Sequence, residues 1–208
     1  MFFKFAGYIG ILGSMLGLGT VLLTTYLCGV GCGDSGSWEE DGSFSWKINA
    51  LSDLGVSRVA DIFNYSLILV GALNIVFGLG LLKAFAVNRF SFCSIILLII
   101  GGAFLSLIGL FTETYGSLHF IVSAGFFIFV PVSIILIGFS FISSNNKRRG
   151  HISIIAGALA LITISSYFTG IFTIIGYGLS VPEYISATII SFWITWIGIN
   201  LQSINPIK

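Results

Sequence analysis

The chain has 208 residues, 56% of them hydrophobic and only 8% charged, with a formal net charge of +1 and a mean hydropathy of +1.06. A soluble domain carries roughly 25% charged residues, so a water-soluble fold is excluded. The few basic residues are scattered or lie at predicted membrane edges, which excludes a nucleic-acid partner.

A membrane helix needs about 20 mainly apolar residues, because about 1.5 Å of rise per residue must cross a core of about 30 Å. That rule predicts six spans. The first runs from Phe5 to Leu27 and is followed by an outer polar loop, 28–58. The others cover 62–85, 90–111, 118–143, 152–177 and 185–202. Lys4 before the first run imitates a secretory signal, but signal h-regions are only about 7–15 residues long. Leu27 before Cys28 is also a poor small-residue cleavage position. The expected fold is an all-α integral membrane protein, a six-transmembrane-helix bundle forming a single membrane domain over 1–208.

Orientation follows from the basic residues. With the N-terminus cytoplasmic, Lys4, Lys83, Arg89, Lys147, Arg148, Arg149 and Lys208 lie inside, and only Lys47 and Arg58 lie outside. Every acid then falls outside: Asp34, Glu39, Glu40, Asp41, Asp53, Asp61, Glu113 and Glu183. Both termini are expected to be cytoplasmic, in a multi-pass protein of the cell membrane.

Gly7, Gly10, Gly13 and Gly17 fall on one side of the first helix, where small residues let backbones approach closely. Gly71, Gly78, Gly101 and Gly102 are expected to do the same on neighbouring spans. Pro131 is expected to kink or loosen the fourth. Cys28 and Cys32 follow the first span in CGVGCGDSGSW, a spacing compatible with a disulfide closing a Gly-rich turn or with a metal site. Cys93 reads as an ordinary buried thiol. In SWEEDGSFSW, Glu39, Glu40 and Asp41 read as a solvated loop tip or a divalent-cation site, and Trp38 and Trp46 suit the interface.

The richest polar stretch is NALSDLGVSRVADIFN, 49–64. Ser57 reads as an N-cap of the second span, with Asp61 in its first turn and Arg58 placed to pair with Asp61. Gly55 reads as a tight turn. Asp53 is left without a local explanation. Glu113 and His119 flank the next outer turn, FTETYGSLHF, at the same depth, and Glu183 can approach through VPEY. A His near carboxylates can act as a base, orient a headgroup or bind a metal; a hydrogen-bonded structural His is the plainer reading. His151 belongs to the opposite side.

No ionisable residue falls near the predicted midplane of any span, which disfavours an ion-coupled transporter. No phosphate-cradling glycine loop, nucleophile elbow or complete metal set occurs, and no cofactor is implied.

The stretch NALSDLGVSRVADIFNYSLILVGAL resembles the signature of an archaeal and bacterial membrane family, domain of unknown function 998. Its pattern is Ser-Asp-Leu-Gly, a short spacer, then Phe-Asn opening an apolar helix: here Ser52, Asp53, Leu54, Gly55, Phe63 and Asn64. Gly109, Phe111 and His119 fit its third span and following turn, although Thr112-Glu113 stands where a Pro is common. The resemblance runs from the first span to about the fifth. More distantly, the layout is similar to the six-span FRAG/DRAM/Sfk group, which is linked to lipid handling. The resemblance implies that Asp53 and His119 belong to one unit, and it supplies no reaction.

The expectation is an outward polar cap that recognises membrane lipids or a partner subunit without catalysis. Its candidate ligand-binding residues are Asp53, Asp61, Asn64 and His119. A lipid-modifying enzyme using His119 with Asp53 or Glu113 is the alternative, and a structural subunit of a larger membrane complex is a third reading.

Overall fold

The computed structural model describes residues 2–29, 31–33, 39 and 41–203. Asp34, Trp38, Glu40 and Lys208, named above, lie outside them. Seven α-helices occur among the described residues: α1 Phe2–Leu27, α2 Ala60–Phe85, α3 Arg89–Leu110, α4 Ser117–Ser143, α5 Lys147–Tyr167, the single turn α6 Ile171–Ile174, and α7 Ser180–Gln202. Two short 3-10 helices, Leu51–Val56 and Glu113–Tyr115, lie at the same end of the bundle. All the helices except α6 are long and apolar enough to cross a membrane, so the chain is a multi-pass membrane protein.

Each long helix packs against the next one in the chain, and α7 returns to α1, closing a six-membered ring. Glycines set most of these contacts, because without a Cβ two backbones approach closely enough for dispersion to hold them. A Cβ on Gly198 of α7 would stand 2.7 Å from the Gly7 carbonyl of α1. On α5, one on Gly150 would stand 2.7 Å from the Gly138 carbonyl of α4. Gly10 faces the Phe77 ring, and Gly101 faces Val130. Gly71 of α2 meets the Gly102 carbonyl of α3, and the sixth contact, α5 on α7, is polar: Trp193 Nε1 donates to Ser153 Oγ at 2.8 Å, and Arg149 Nε and Nη2 donate to Asn200 Oδ1 at 3.2 and 3.1 Å. α4 runs unbroken through Pro131.

The two halves of the ring are filled differently. Toward the end holding Arg149, the interior is filled by the buried side chains of Phe77, Leu81, Ile134, Trp193, Ile197 and Leu201. Toward the other end it is capped by a second cluster in which Leu51, Leu54, Val59 and Phe63 meet Cys28 and Cys32.

Three helix limits depart from expectation by five residues or more. The fifth helix starts at Lys147, where the Asn146 side chain accepts from Arg149 N, and ends at Tyr167 rather than 177. Gly170 (φ +78°) and Gly176 (φ +81°) adopt left-handed backbone on either side of α6, which an apolar run does not reveal. The last helix begins at Ser180, five residues before the expected 185, with Pro182 in its first turn.

Cys28 and Cys32 are joined, with Cα atoms 5.0 Å apart. Phe44 N donates to the Cys28 carbonyl and Cys32 N to that of Gly42, both at 2.8 Å, folding the loop back over the disulfide. Cys93, expected to be buried, is exposed. In denaturant, a maleimide is therefore expected to label one thiol per chain without reductant and three after reduction; three labels at the outset would show the pair open.

Candidate functional site

The cap is built around Asn49, which is fully buried. Its Oδ1 accepts from Ser45 N at 2.8 Å and its Nδ2 donates to Asp53 Oδ2 at 2.6 Å. Asp53 Oδ2 also accepts from Ala50 N at 3.2 Å, closing the start of the 3-10 helix. The Asn49 carbonyl accepts from Ser180 N at 3.0 Å, so the loop that follows α1 rests on the start of α7. Glu183, one turn on, accepts from Leu51 N at 2.7 Å through Oε2. Ser52 Oγ donates to Glu113 Oε1 at 2.6 Å, and Glu113 stands within hydrogen-bonding reach of Asp53. Three carboxyl groups from distant parts of the chain thus meet around one short helix.

The other expected residues do different work. Asn64 Nδ2 donates to the Gly55 carbonyl at 2.8 Å and clasps the 3-10 helix to α2. A Cβ on Gly55 would stand 2.6 Å from Asn64 Oδ1, so Gly55 is there for close approach. Asp61 is exposed on the first turn of α2 and does not join the carboxyl cluster. Arg58, expected to pair with it, instead donates from Nη2 to the Leu27 carbonyl at 2.8 Å, stopping the end of α1. Ser57 does not cap α2 directly; its hydroxyl donates to the Leu54 carbonyl and accepts from Val59 N, turning the chain into the helix. Trp46, expected at the interface, packs edge-on against Phe44 and Tyr184, with centroids 5.4 and 5.5 Å away.

His119 is held by other groups than the carboxylates. Its Nδ1 donates to the Phe111 carbonyl at 2.7 Å, which fixes the tautomer, and Nε2 meets Ser123 Oγ at 3.3 Å. From the first turn of α4, the imidazole thereby ties the end of α3 to this helix. Among the described residues, no group of three or more His, Cys, Asp or Glu is arranged to hold a metal ion.

Beneath the cap lies a cavity of about 100 Å³. Leu51, Ser52 and Glu183 line its cap end, Leu18, Val21, Leu67, Val70 and Ile190 its apolar walls, and Ser14 and Asn74 its other end. Its lining runs from Glu183 to Ile194 along α7, roughly 16 Å at about 1.5 Å per residue. Ser14 Oγ and Asn74 Oδ1 are buried there with no hydrogen-bond partner. Nothing local in the sequence marks Asn49 or Glu183 for these places. An Asn in a loop carries no local signal, and Glu183 gains its place only because α7 closes the ring.

Burial pushes the Asp53 carboxyl up from 3.8 to about 6; the Asn49 hydrogen bond opposes this and the neighbouring Glu113 adds to it. The folded value lies above the unfolded one, so the folded cap holds this proton more tightly. At pH well below 4 both states are protonated and no penalty exists. As pH rises from about 4 to about 6 the unfolded chain ionises first, and stability falls until the loss is complete above about 6. The interval is worth roughly 3 kcal/mol for a fully dry group, and contact with solvent cuts it to about 1–2 kcal/mol. Asp53→Asn keeps an acceptor for Asn49 and Ala50. It is expected to match the natural chain in acid and to exceed it by that margin in mild alkali, read as thermal unfolding in detergent. Equal stability at both extremes would show that the carboxyl is not strained by burial.

The fold and this arrangement define a six-span helical membrane protein with a polar cap over an interior cavity. Residues 36–200 match the family described as protein of unknown function (DUF998), and the chain belongs to that family. No curated protein and no solved structure matches it.

Proposed function

We propose that this chain is a non-catalytic membrane protein that binds a membrane lipid in the cavity beneath its cap. The observation that carries this reading is the cavity itself: apolar walls between helices, a cap end of carboxyl and hydroxyl groups, and partnerless polar atoms at its other end. Apolar walls with a few placed polar groups are the lining of a small-molecule site, and at about 100 Å³ this one takes part of one lipid chain rather than a whole lipid. The cap's polar groups favour binding over turnover. Asp53, Glu113 and Glu183 each spend one oxygen on cap hydrogen bonds, and His119 is bonded to a carbonyl and a serine rather than to a carboxylate that could orient it as a base.

Ala187 lines the cavity, and Ala187→Phe fills it. Lipid retained through mild purification, counted by native mass spectrometry, is expected to drop on the order of tenfold in this variant, about 1.4 kcal/mol of binding. Leu159→Phe, at an exposed position of α5, serves as the control. Equal retention in both would remove the cavity from the account. Turnover of any lipid by the pure protein, lost in Asp53→Ala, would replace binding with catalysis.

A further inference from the structure

The end of the bundle away from the disulfide carries a second pocket, about 390 Å³ in volume and lined by Asn146, Arg148, Arg149, Trp196 and Asn200. Ordinary ligand clefts measure about 300–1,000 Å³. This one lies between the start of α5 and the end of α7. Basic residues at a membrane edge need no ligand to explain them. Arg149 differs from Lys147 and Arg148, which are exposed: it is half-buried and held in place. Its Nε and Nη2 both donate to Asn200 Oδ1, and its Cζ stands 6.0 Å over the Phe85 ring. Nη1 takes part in neither bond. Asn200 is fixed in turn, its Nδ2 donating to the Trp196 carbonyl at 2.7 Å. A guanidinium keeps its charge at every pH a folded protein meets, so its field has to be answered by an anion or by water. No described side-chain carboxyl is near enough. All of them, from Glu39 to Glu183, belong to the other end of the ring, a helix length or roughly 30 Å away.

We propose that this pocket binds a phosphate group, with Arg149 as its fixed fork and Arg148 as its second cation. The planar donors of a guanidinium match phosphate oxygens in pairs. Trp196, half-buried against the core, gives the pocket an amphipathic wall of the kind that sits among headgroups. Basic pockets between membrane helices meet lipid headgroups, so an anionic phospholipid is the expected source of the phosphate. A soluble phosphate ester carries the same group. The site is separate from the cavity beneath the cap and does not depend on what binds there.

The test offers the full chain, in neutral detergent, equal amounts of phosphatidylglycerol and phosphatidylcholine with the same acyl chains, and counts retained lipid by native mass spectrometry. Both carry a phosphate, but the guanidiniums repel the choline cation. Phosphatidylglycerol is expected to be retained on the order of tenfold over phosphatidylcholine. Arg148→Gln with Arg149→Gln is expected to bring the two within about twofold of each other, and Arg148→Gln alone, at an exposed position, to cut the ratio about threefold. Arg89→Gln removes the same charge from the start of α3, outside the pocket, and is expected to leave the ratio within about twofold of the natural chain's. Ala187→Phe is expected to leave it likewise; a preference lost there belongs to the cap cavity and overturns this site. Glycerol phosphate that displaces phosphatidylglycerol only in large excess supports the headgroup. Displacement at equal concentration supports the phosphate site and makes its ligand a soluble ester. No preference, or one lost as fully in Arg89→Gln as in the double variant, overturns the site, because the charges then act as a diffuse field.

Discussion

Gly71→Ala is expected to destabilise the bundle by about 2–3 kcal/mol, the cost of overpacking a site that cannot relax. A Cβ there would stand 2.5 Å from both the Gly102 carbonyl oxygen and Ser106 N, backbone atoms of α3 that have no rotamer to move into. Separating α2 from α3 also strains the bond that Ser106 Oγ donates across to the Ile68 carbonyl at 3.0 Å. Gly17→Ala is the matched control, because its Cβ would meet only Val70 methyls at 3.5 and 3.7 Å, ordinary packing distances. Unfolding in bicelles should separate the two variants clearly. Equal stabilities would mean that the α2–α3 contact is looser than described.

Asn49→Ala is expected to unseat the cap while the membrane ring stays folded. The change removes the donor at 2.6 Å from the buried Asp53 and leaves Ser45 N without its side-chain acceptor. Each buried polar group left unpaired costs roughly 1–3 kcal/mol, so the local loss is about 2–4 kcal/mol after partial rescue by water. Hydrogen exchange reads this directly: amides of 43–57 should lose protection while those of α2 and α3 keep it. Unchanged protection in the cap would show that the Gly178 N and Ser180 N contacts to the loop hold it without the side chain.

Much of the ring is legible in run lengths, because a membrane helix must satisfy its backbone internally and the core sets how long it is. The glycine faces are legible too, as spacings, although spacing cannot say that Gly7 meets Gly198 or that Gly71 meets Gly102. The end of α5 is not legible, since Phe168 to Tyr177 is as apolar as a span and only the left-handed glycines divide it. Around the site, Asp53 stands out because nothing local explains it, and its partners prove to be Asn49, Glu113 and a fold-dependent neighbour, Glu183. His119 shares a depth with the carboxyls, but its bond to Phe111, eight residues back, is a feature of the turn. The cavity has no sequence signal of its own. It arises from side chains on α1, α2, α3, α4 and α7 that meet only once the ring closes.

The most direct measurement is photocrosslinking with a lipid carrying a diazirine in its chain, followed by mapping of the labelled residues. Occupation of the cavity predicts adducts on Leu18, Leu67, Val70 and Ile190, lost in Ala187→Phe. Adducts confined to lipid-exposed positions such as Met15, Tyr65 and Phe192, and unchanged in that variant, would contradict it.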